Sequence, residues 1–171
     1  MEAVKELIEV AGQNGWTIGS AESLTAGLFS ATIASCPGAS AVLKGGYVTY
    51  FTEMKERMLD VPALLIERFG VVSKPCARAM ALNAQRLMDV DFAVSFTGNA
   101  GPSAMEGKPA GLVYCAVAKR DGTVFDFRFQ WDGLARNEIR ARVVADMVAN
   151  TLTIMKEESE WQKRQQLRPQ K

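Results

Sequence analysis

The first apolar residues of the chain recur at helical spacing. Val4, Leu7 and Ile8 lie on one side of a helix with 3.6 residues per turn. The glycines of GQNG, residues 12–15, are expected to end this helix. Residues 16–21 are rich in strand formers and predict the first strand. The chain is therefore expected to begin with a helix that leads directly into a strand.

Strands and helices alternate through the middle of the chain. The spacing of apolar and helix-breaking residues predicts, in order, a helix over 24–35, a strand over 42–51, helices over 52–59 and 62–69, and an amphipathic helix over 73–88. This alternation is typical of an α/β fold. Ligands of such folds bind at the carboxyl ends of the strands, so the turn after each strand is a candidate position for functional residues.

The second half of the chain predicts a hairpin. After a strand over 91–97, two further strand patterns cover 111–119 and 123–131 and are joined by Asp121-Gly122. Asp-Gly is a strong signal for a tight turn between antiparallel strands. We therefore expect a mixed sheet, in which an antiparallel pair lies beside the parallel strands.

The last apolar pattern predicts a helix that begins at Arg136 and continues to Leu152. Beyond it the residues are polar and of mixed charge. We expect residues 1–158 to form one domain and residues 159–171 to be a polar tail, frayed or disordered. A chain of 171 residues that is 48% hydrophobic has enough apolar material for the core of one such domain.

The charge of the chain is nearly balanced. Its 20 basic and 19 acidic residues give a net charge of +1, which provides no overall field for nucleic acid or an anionic membrane. No apolar run is long enough to span a bilayer, and the start of the chain does not resemble a secretory signal. We expect a cytoplasmic protein that contacts neither nucleic acid nor membrane directly.

The absence of histidine restricts the possible chemistry. A Ser-His-Asp mechanism, a Cys-His mechanism and histidine-ligated zinc are all excluded, so a general base must be Lys, Asp, Glu or Tyr. Cys36, Cys76 and Cys115 are far apart and form no CxxC pair. They are expected to be buried free thiols, with no metal or disulfide role.

The first candidate for chemistry is Ser23, in the segment AESLTAG at residues 21–27. It lies between a predicted strand and a predicted helix, where free helix amides can hold a phosphate or a developing oxyanion. The alternative is that Ser23 or Ser20 caps the helix, which is the commoner role of an isolated serine there. Sequence pattern alone leaves both readings open.

Two further segments carry weaker signals of the same kind. Gly45-Gly46 indicates a bulge or a close backbone approach, with a turn before an ordinary strand as an equal alternative. The glycines of GNAGP at 98–102 follow a strand and let backbone amides approach a phosphate or sugar, or else they belong to a mobile surface loop running to residue 109.

Lys55 can project back toward the preceding strand end, although a lone lysine is more often a solvated helix residue.

Four segments in this order resemble one known family. AESLTAG, GGYVTYFTEMK, FTGNAGP with a later KPAG, and WDGLARNEIR are similar to the CinA C-terminal domain family of nicotinamide mononucleotide deamidases. The resemblance implies a three-layer α/β/α domain, usually oligomeric and with a dimer favoured, that needs no metal or organic cofactor. It also implies hydrolysis of the carboxamide of nicotinamide mononucleotide to nicotinic acid mononucleotide and ammonia.

The resemblance assigns roles to individual residues. Ser23 is the expected nucleophile, Lys55 its general base, and Tyr50 the group that orients or relays the proton. Amides at the start of the helix after Ser23 are expected to stabilise the oxyanion. The residues expected to bind substrate are Thr25, Gly46, Thr97, Gly98, Gly101, Arg136 and Arg140.

Some positions depart from the pattern of the family. Ala26 stands where glycine is frequent and Asn99 where an apolar residue is. Arg136 comes one residue later than the family's arginine, so Arg140, one helical turn on, is the alternative phosphate ligand. These departures motivate a second hypothesis, a nucleotide-binding or regulatory module linked to competence or DNA damage that has little or no turnover.

Overall fold

One mixed sheet forms the centre of the computed structural model, which describes residues 1–167. The strands are β1 (Ile18–Glu22), β2 (Leu43–Val48), β3 (Phe92–Gly98), β4 (Leu112–Lys119) and β5 (Val124–Gln130). Their order across the sheet is β2-β1-β3-β4-β5. The first three strands are parallel, whereas β4 is antiparallel to both β3 and β5.

Helices cover both faces of this sheet. They are α1 (Glu2–Asn14), α2 (Leu28–Ala34), α3 (Thr52–Leu59), α4 (Ala63–Phe69), α5 (Lys74–Met88) and α6 (Arg136–Gln166), with a short 3₁₀ turn at Ala39–Ala41. One core joins α1, α2 and α6 to the sheet, and a second core joins α5 and the segments around it to the other face. This is the three-layer α/β/α architecture that was expected. No helix in the described part of the chain is long and apolar enough to cross a bilayer.

The central strand β3 shows why two helical layers are needed. All seven of its residues are buried. Phe92 and Phe96 belong to the larger core on the side of α1 and α6. On the other side Ser95 donates a hydrogen bond to the carbonyl of Ala77 in α5, at 2.6 Å, which satisfies a polar group in the interior.

One helix boundary is as predicted and one differs. The first helix ends at Asn14, within the GQNG segment, and the left-handed backbone of Gly15 (φ 67°) closes it. The second helix begins at Leu28, not at residue 24. Residues 23–27 form a turn, because the buried carboxylate of Glu22 accepts the N–H groups of Phe29 and Ser30 and so caps the helix from the preceding strand.

The polar tail predicted from residue 159 is helical as far as Gln166, because α6 continues to that residue. Ser159 is buried and donates to Asn14 Oδ1 at 3.0 Å, so the helix is packed against α1 where a frayed tail was expected. Residues 168–171 of the predicted tail lie outside the described residues.

The glycine and hairpin patterns correspond to real features. The predicted turn at Asp121-Gly122 joins β4 to β5. Gly45 and Gly46 lie within β2. Ile18 pairs with Leu43 and Gly19 pairs with Gly45, so Lys44 is left without a partner in β1 and forms a bulge. A side chain at Gly46 would collide with the hydroxyls of Ser20 and Ser30. The close approach therefore serves packing between β2, β1 and α2.

Candidate active site

Ser23 lies directly after the carboxyl end of β1. Its N–H donates to the carbonyl of Phe96 in β3 at 2.9 Å, which fixes the residue between two parallel strands. Its side chain is almost completely buried. It does not cap α2, because Glu22 takes the first helix amides. The cap reading of Ser23 is therefore wrong.

Lys55 meets Ser23 from the opposite side of the turn. Its Nζ is 3.1 Å from Ser23 Oγ and 2.8 Å from the carbonyl oxygen of Thr49. Only 1% of Lys55 is exposed, so the expectation of a solvated helix residue is wrong. The two residues occupy distant positions in the sequence, and the fold joins them through a direct hydrogen bond.

The burial of Lys55 follows from its place on α3. Together with Leu59, four residues later, it forms the buried side of that helix. Burial lowers the pKa of Lys55 because the ammonium loses its hydration, and nearby Cys76 and Glu106 oppose this only in part. A lysine in this state has a larger neutral fraction than an exposed one and can accept a proton.

A small cavity opens beside the serine. It has a volume of about 120 Å³, and its lining includes Ser23, Tyr50, Asn99, Met105 and Arg136. Sites that enclose a whole drug-sized ligand measure roughly 300–1,000 Å³. The cavity therefore admits the reacting part of such a ligand, and the remainder would lie at its mouth.

Tyr50 and Arg136 form one side of this mouth. The Arg136 guanidinium donates to the Tyr50 hydroxyl at 2.5 Å and to the carbonyl of Gly101 at 2.7 Å. Half of Tyr50 is exposed. Both partners of Arg136 are neutral, so its charge remains available to an anionic group at the mouth.

Arg140 occupies a different place, behind the turn that carries Ser23. Its Nε donates to the carbonyl of Leu24 at 2.9 Å and its Nη2 to the carbonyl of Thr25 at 3.0 Å. Its remaining nitrogen donates to Asn137 Oδ1. These contacts engage all three guanidinium nitrogens, and they place Arg140 on the backbone of the turn and not in the lining of the cavity.

The other expected substrate contacts are not all brought together. Gly98 lines the cavity. Thr97 is buried and donates to the carbonyl of Val71, and Gly46 lies within β2, so neither belongs to the lining. Thr25 is fully buried, and its hydroxyl has no hydrogen-bond partner among residues 1–167.

Comparison with known proteins gives the family of this chain. A sequence model of the CinA C-terminal domain matches residues 1–155. The chain belongs to the CinA C-terminal domain family. A competence-damage inducible protein of Listeria welshimeri is 49% identical over 128 residues, which is 75% of this chain and 31% of that protein. One from Streptococcus pneumoniae is 50% identical over 117 residues, 68% of this chain and 28% of that protein. The chain thus spans about a third of the length of these curated relatives.

Solved structures of the CinA superfamily share the fold. A superfamily protein from Klebsiella pneumoniae matches with a TM-score of 0.87 at 27% identity, covering 91% of this chain and 97% of that one. A competence/damage inducible protein from Agrobacterium tumefaciens matches with a TM-score of 0.82 at 34% identity, covering 90% of this chain and 92% of that one. The likeness therefore extends over nearly the whole CinA domain.

The loop after β3 in this CinA domain lies on the surface at residues 102–107, and hydrogen bonds tether it to the segment before α5. Glu106 accepts the N–H groups of Val71 and Val72, and Lys108 donates to the carbonyl of Val72 at 2.6 Å. Burial alone would raise the pKa of Glu106, but these N–H groups and Lys108 outweigh it and lower the pKa. Asn99 closes the loop by accepting the N–H of Gly101.

Several of these residues escaped the sequence reading. Glu22 is the clearest example of a residue that was missed. It is adjacent to Ser23, and acidic residues are rarely fully buried unless they have bonding partners. Glu106 and Asn99 act through backbone groups that only the folded chain brings near. All three cysteines are buried and free, as expected. Among residues 1–167, no group of three His, Cys, Asp or Glu side chains is arranged to hold a metal ion.

Proposed function

We propose that this domain hydrolyses the carboxamide of nicotinamide mononucleotide, giving nicotinic acid mononucleotide and ammonia. The single observation that carries the proposal is the 3.1 Å contact between the buried Lys55 amine and the Ser23 hydroxyl beside a small cavity. Membership of the CinA family suggests the substrate. The serine and lysine suggest the chemistry, because a chain without histidine needs another base to activate a nucleophile.

In the first half of the reaction Ser23 attacks the amide. Neutral Lys55 accepts the hydroxyl proton while Ser23 Oγ bonds to the carboxamide carbon, and the carbonyl electrons move to oxygen. The tetrahedral oxyanion then collapses. The carbon–nitrogen bond breaks, Lys55 returns its proton to the nitrogen, and ammonia leaves an ester on Ser23.

In the second half water releases the product. Lys55, neutral again, takes a proton from water as the water oxygen bonds to the ester carbon. Collapse of the second tetrahedral state breaks the bond to Ser23 Oγ, which receives the proton from Lys55. The carbonyl oxygen of Thr49 accepts from the same amine and keeps it directed at Ser23 through both steps.

The ribose phosphate would lie outside the cavity, at its mouth. Arg136 is the residue of choice for the phosphate, because its planar guanidinium suits a bidentate contact and its present partners are neutral. Tyr50 would then join phosphate binding to the reacting end, since it lines the cavity and contacts Arg136.

Ammonia release is the direct test of this proposal. Purified protein should release ammonia from nicotinamide mononucleotide in metal-free buffer, and the Ser23→Ala variant should not. Activity that a chelator abolishes and zinc restores would contradict the proposed mechanism. Binding of the nucleotide without any ammonia release would instead favour the regulatory module.

Two further expectations remain predictions at this point. The protein is proposed to be a homo-oligomer, with a dimer favoured, and sedimentation velocity measures this directly. It is also proposed to act on a small pyridine nucleotide in the cytoplasm, without direct contact with nucleic acid. A panel of phosphorylated and unphosphorylated pyridine nucleosides in the ammonia assay defines the substrate range.

A further inference from the structure

The usual source of oxyanion donors is not available in this site. The helix amides expected to stabilise the oxyanion belong to α2, which begins only at Leu28. Its Phe29 and Ser30 N–H groups donate to the buried carboxylate of Glu22, at 3.1 and 3.0 Å. A substrate oxyanion would have to displace this carboxylate from a fully buried position. The donors must therefore lie elsewhere.

The turn after Ser23 offers two other amides. Within residues 1–167, no backbone carbonyl accepts the N–H of Leu24 or of Thr25. The neighbouring Ala26 N–H, in contrast, closes the turn on the carbonyl of Ser23 at 3.1 Å. Leu24 also lines the cavity beside Ser23. Amides next to a nucleophile are well placed to face the oxygen of the group that it attacks.

Arg140 acts on the same turn from the other side. The carbonyl of Leu24 and the N–H of Thr25 belong to one planar trans peptide, so they point in opposite directions. Arg140 binds this carbonyl at 2.9 Å, which turns the Thr25 N–H away from α6. A cation on the carbonyl also polarises the peptide and makes its N–H a stronger donor. The second contact, to the carbonyl of Thr25, fixes the orientation of the turn.

From this geometry we infer that the N–H groups of Leu24 and Thr25 form the oxyanion hole, and that Arg140 is the positioning residue that orients and polarises it. The inference rests on the proposed amide hydrolysis. It removes Arg140 from the list of phosphate ligands and gives it a role in stabilising the transition state. Arg140 touches neither the substrate nor Ser23 in this assignment.

The test compares arginine variants on the same helix. Arg140→Gln removes the charge and one of the two carbonyl contacts, whereas Arg140→Lys keeps the charge. Arg142→Gln is the matched control, because Arg142 makes an exposed i,i+4 pair with Asp146. We expect Arg140→Gln to lower kcat about tenfold to a hundredfold at nearly unchanged KM, with partial recovery in Arg140→Lys and no change in Arg142→Gln.

A second measurement separates failure of this inference from failure of the proposed function. A fluorophosphonate probe labels an activated serine whatever its natural substrate, and its reaction also builds negative charge on an oxygen. Labelling of Ser23 should be at least about tenfold slower in Arg140→Gln than in the wild type. If the wild type releases no ammonia but is labelled with this difference, the substrate is wrong and the oxyanion hole stands.

Other results of the kinetic and labelling experiments would overturn the inference. Wild-type kcat and wild-type labelling in folded Arg140→Gln would overturn the inference. A raised KM with an unchanged kcat would overturn it as well. Absence of Ser23 labelling in the wild type would overturn both proposals. Should Arg140→Gln fail to fold, Arg140→Lys carries the same comparison: a lower kcat at constant KM supports the inference, and an unchanged kcat overturns it.

Discussion

The two ends of the sheet each hold a largely buried lysine, and the two lysines have opposite properties. At the carboxyl end of β1, the Lys55 amine donates to the Ser23 hydroxyl and the Thr49 carbonyl and to no other group among residues 1–167, and burial lowers its pKa. At the other end, burial would also lower the pKa of Lys119, but hydrogen bonds to Glu158 and Asp121 outweigh it and raise the pKa. Carboxylate partners thus favour the ammonium form of Lys119, whereas burial without such partners favours the neutral amine of Lys55, the form that the proposed base requires.

The arginines repeat this difference. Near Lys119, Arg120 is paired with two carboxylates, those of Asp89 and Asp91. Near Lys55, Arg136 and Arg140 bind carbonyl and hydroxyl oxygens through the contacts described above. Carboxylates pair with Lys119 and Arg120 at one end of the sheet, whereas among the described residues Lys55, Arg136 and Arg140 have no carboxylate hydrogen-bond partner at the other. Uncompensated charge in a cleft is typical of functional sites, where it binds or transforms a ligand.

The largest expected effect concerns the pair that defines the site. Ser23→Ala, Lys55→Met and the double variant should each lose at least about 10³-fold in kcat/KM and reach a similar floor, because groups that act as a unit are not additive. Lys119→Met, the matched control at the other end, should retain normal kcat/KM. Ammonia release from nicotinamide mononucleotide measures all four. Multiplicative losses in the double variant would show that the two residues act separately.

The next effect separates the arginines by their partners. Arg136→Ala should reduce turnover of nicotinamide mononucleotide about tenfold to a hundredfold more than turnover of the phosphate-free riboside, since a charge-assisted hydrogen bond contributes roughly 1.5 to 3 kcal/mol. Arg120→Ala, which removes a cation already paired with carboxylates, should affect both substrates equally. Equal losses on nucleotide and riboside in Arg136→Ala would remove it from the phosphate site.

The stability of the two lysine variants should change in opposite directions. Lys119→Met leaves Glu158 and Asp121 without their cation and should cost about 1 to 3 kcal/mol. Lys55→Met replaces a buried amine by an apolar side chain of similar length and should gain about 1 kcal/mol, at the expense of activity. Urea unfolding at pH 7 gives both values. A destabilised Lys55→Met protein would mean that the amine supports the fold.

The gain in Lys55→Met should depend on pH in a definite direction. Because the folded-state pKa of Lys55 is lowered, the unfolded chain binds more protons between that pKa and the ordinary value of 10.5. The advantage of the methionine is therefore complete below the lowered pKa. It shrinks as pH rises through this window and vanishes near 10.5. A constant difference from pH 7 to 10.5 would contradict a lowered pKa.

The smallest effect concerns the backbone of the turn. Ala26 has a left-handed conformation with φ 50°, which is costly for alanine, whereas Asp89 at the other end (φ 49°) is of a type that tolerates it. Ala26→Gly should therefore stabilise the protein by up to about 1 kcal/mol. Ala141→Gly, in the exposed part of α6, should destabilise it by a similar amount. Thermal unfolding of both variants reports the signs, and a less stable Ala26→Gly protein would refute the assigned strain.

Local patterns predicted the elements well, and side chains that act over long distances account for the errors. The Asp121-Gly122 hairpin and the range of α3, residues 52–59, were predicted correctly because turn chemistry and helical spacing are local properties. The start of α2 was wrong because the Glu22 carboxylate replaces the expected serine cap. The end of α6 was wrong because Ser159 packs against Asn14, a contact between opposite ends of the chain.

The candidate site divides in the same way. The sequence pattern singled out Ser23 and the resemblance paired it with Lys55, but the burial that lowers the pKa of Lys55 depends on a helix face that pattern alone assigned to solvent. The separation of Arg136 from Arg140 is likewise a matter of fold. Both lie at the start of α6, and only the folded position of the Ser23 turn separates them. Arg136 lines the cavity, whereas Arg140 binds the backbone of the turn.

The most direct test of the account is the pKa of Lys55 in the folded protein. NMR of lysines labelled at the side-chain terminus, assigned with the Lys55→Met and Lys119→Met variants, should give a pKa below 10.5 for Lys55 and above 10.5 for Lys119. The acid limb of kcat/KM should have the same midpoint as Lys55, because the free enzyme needs this amine neutral. A Lys55 pKa at or above 10.5, or an acid limb that does not match it, would contradict the account.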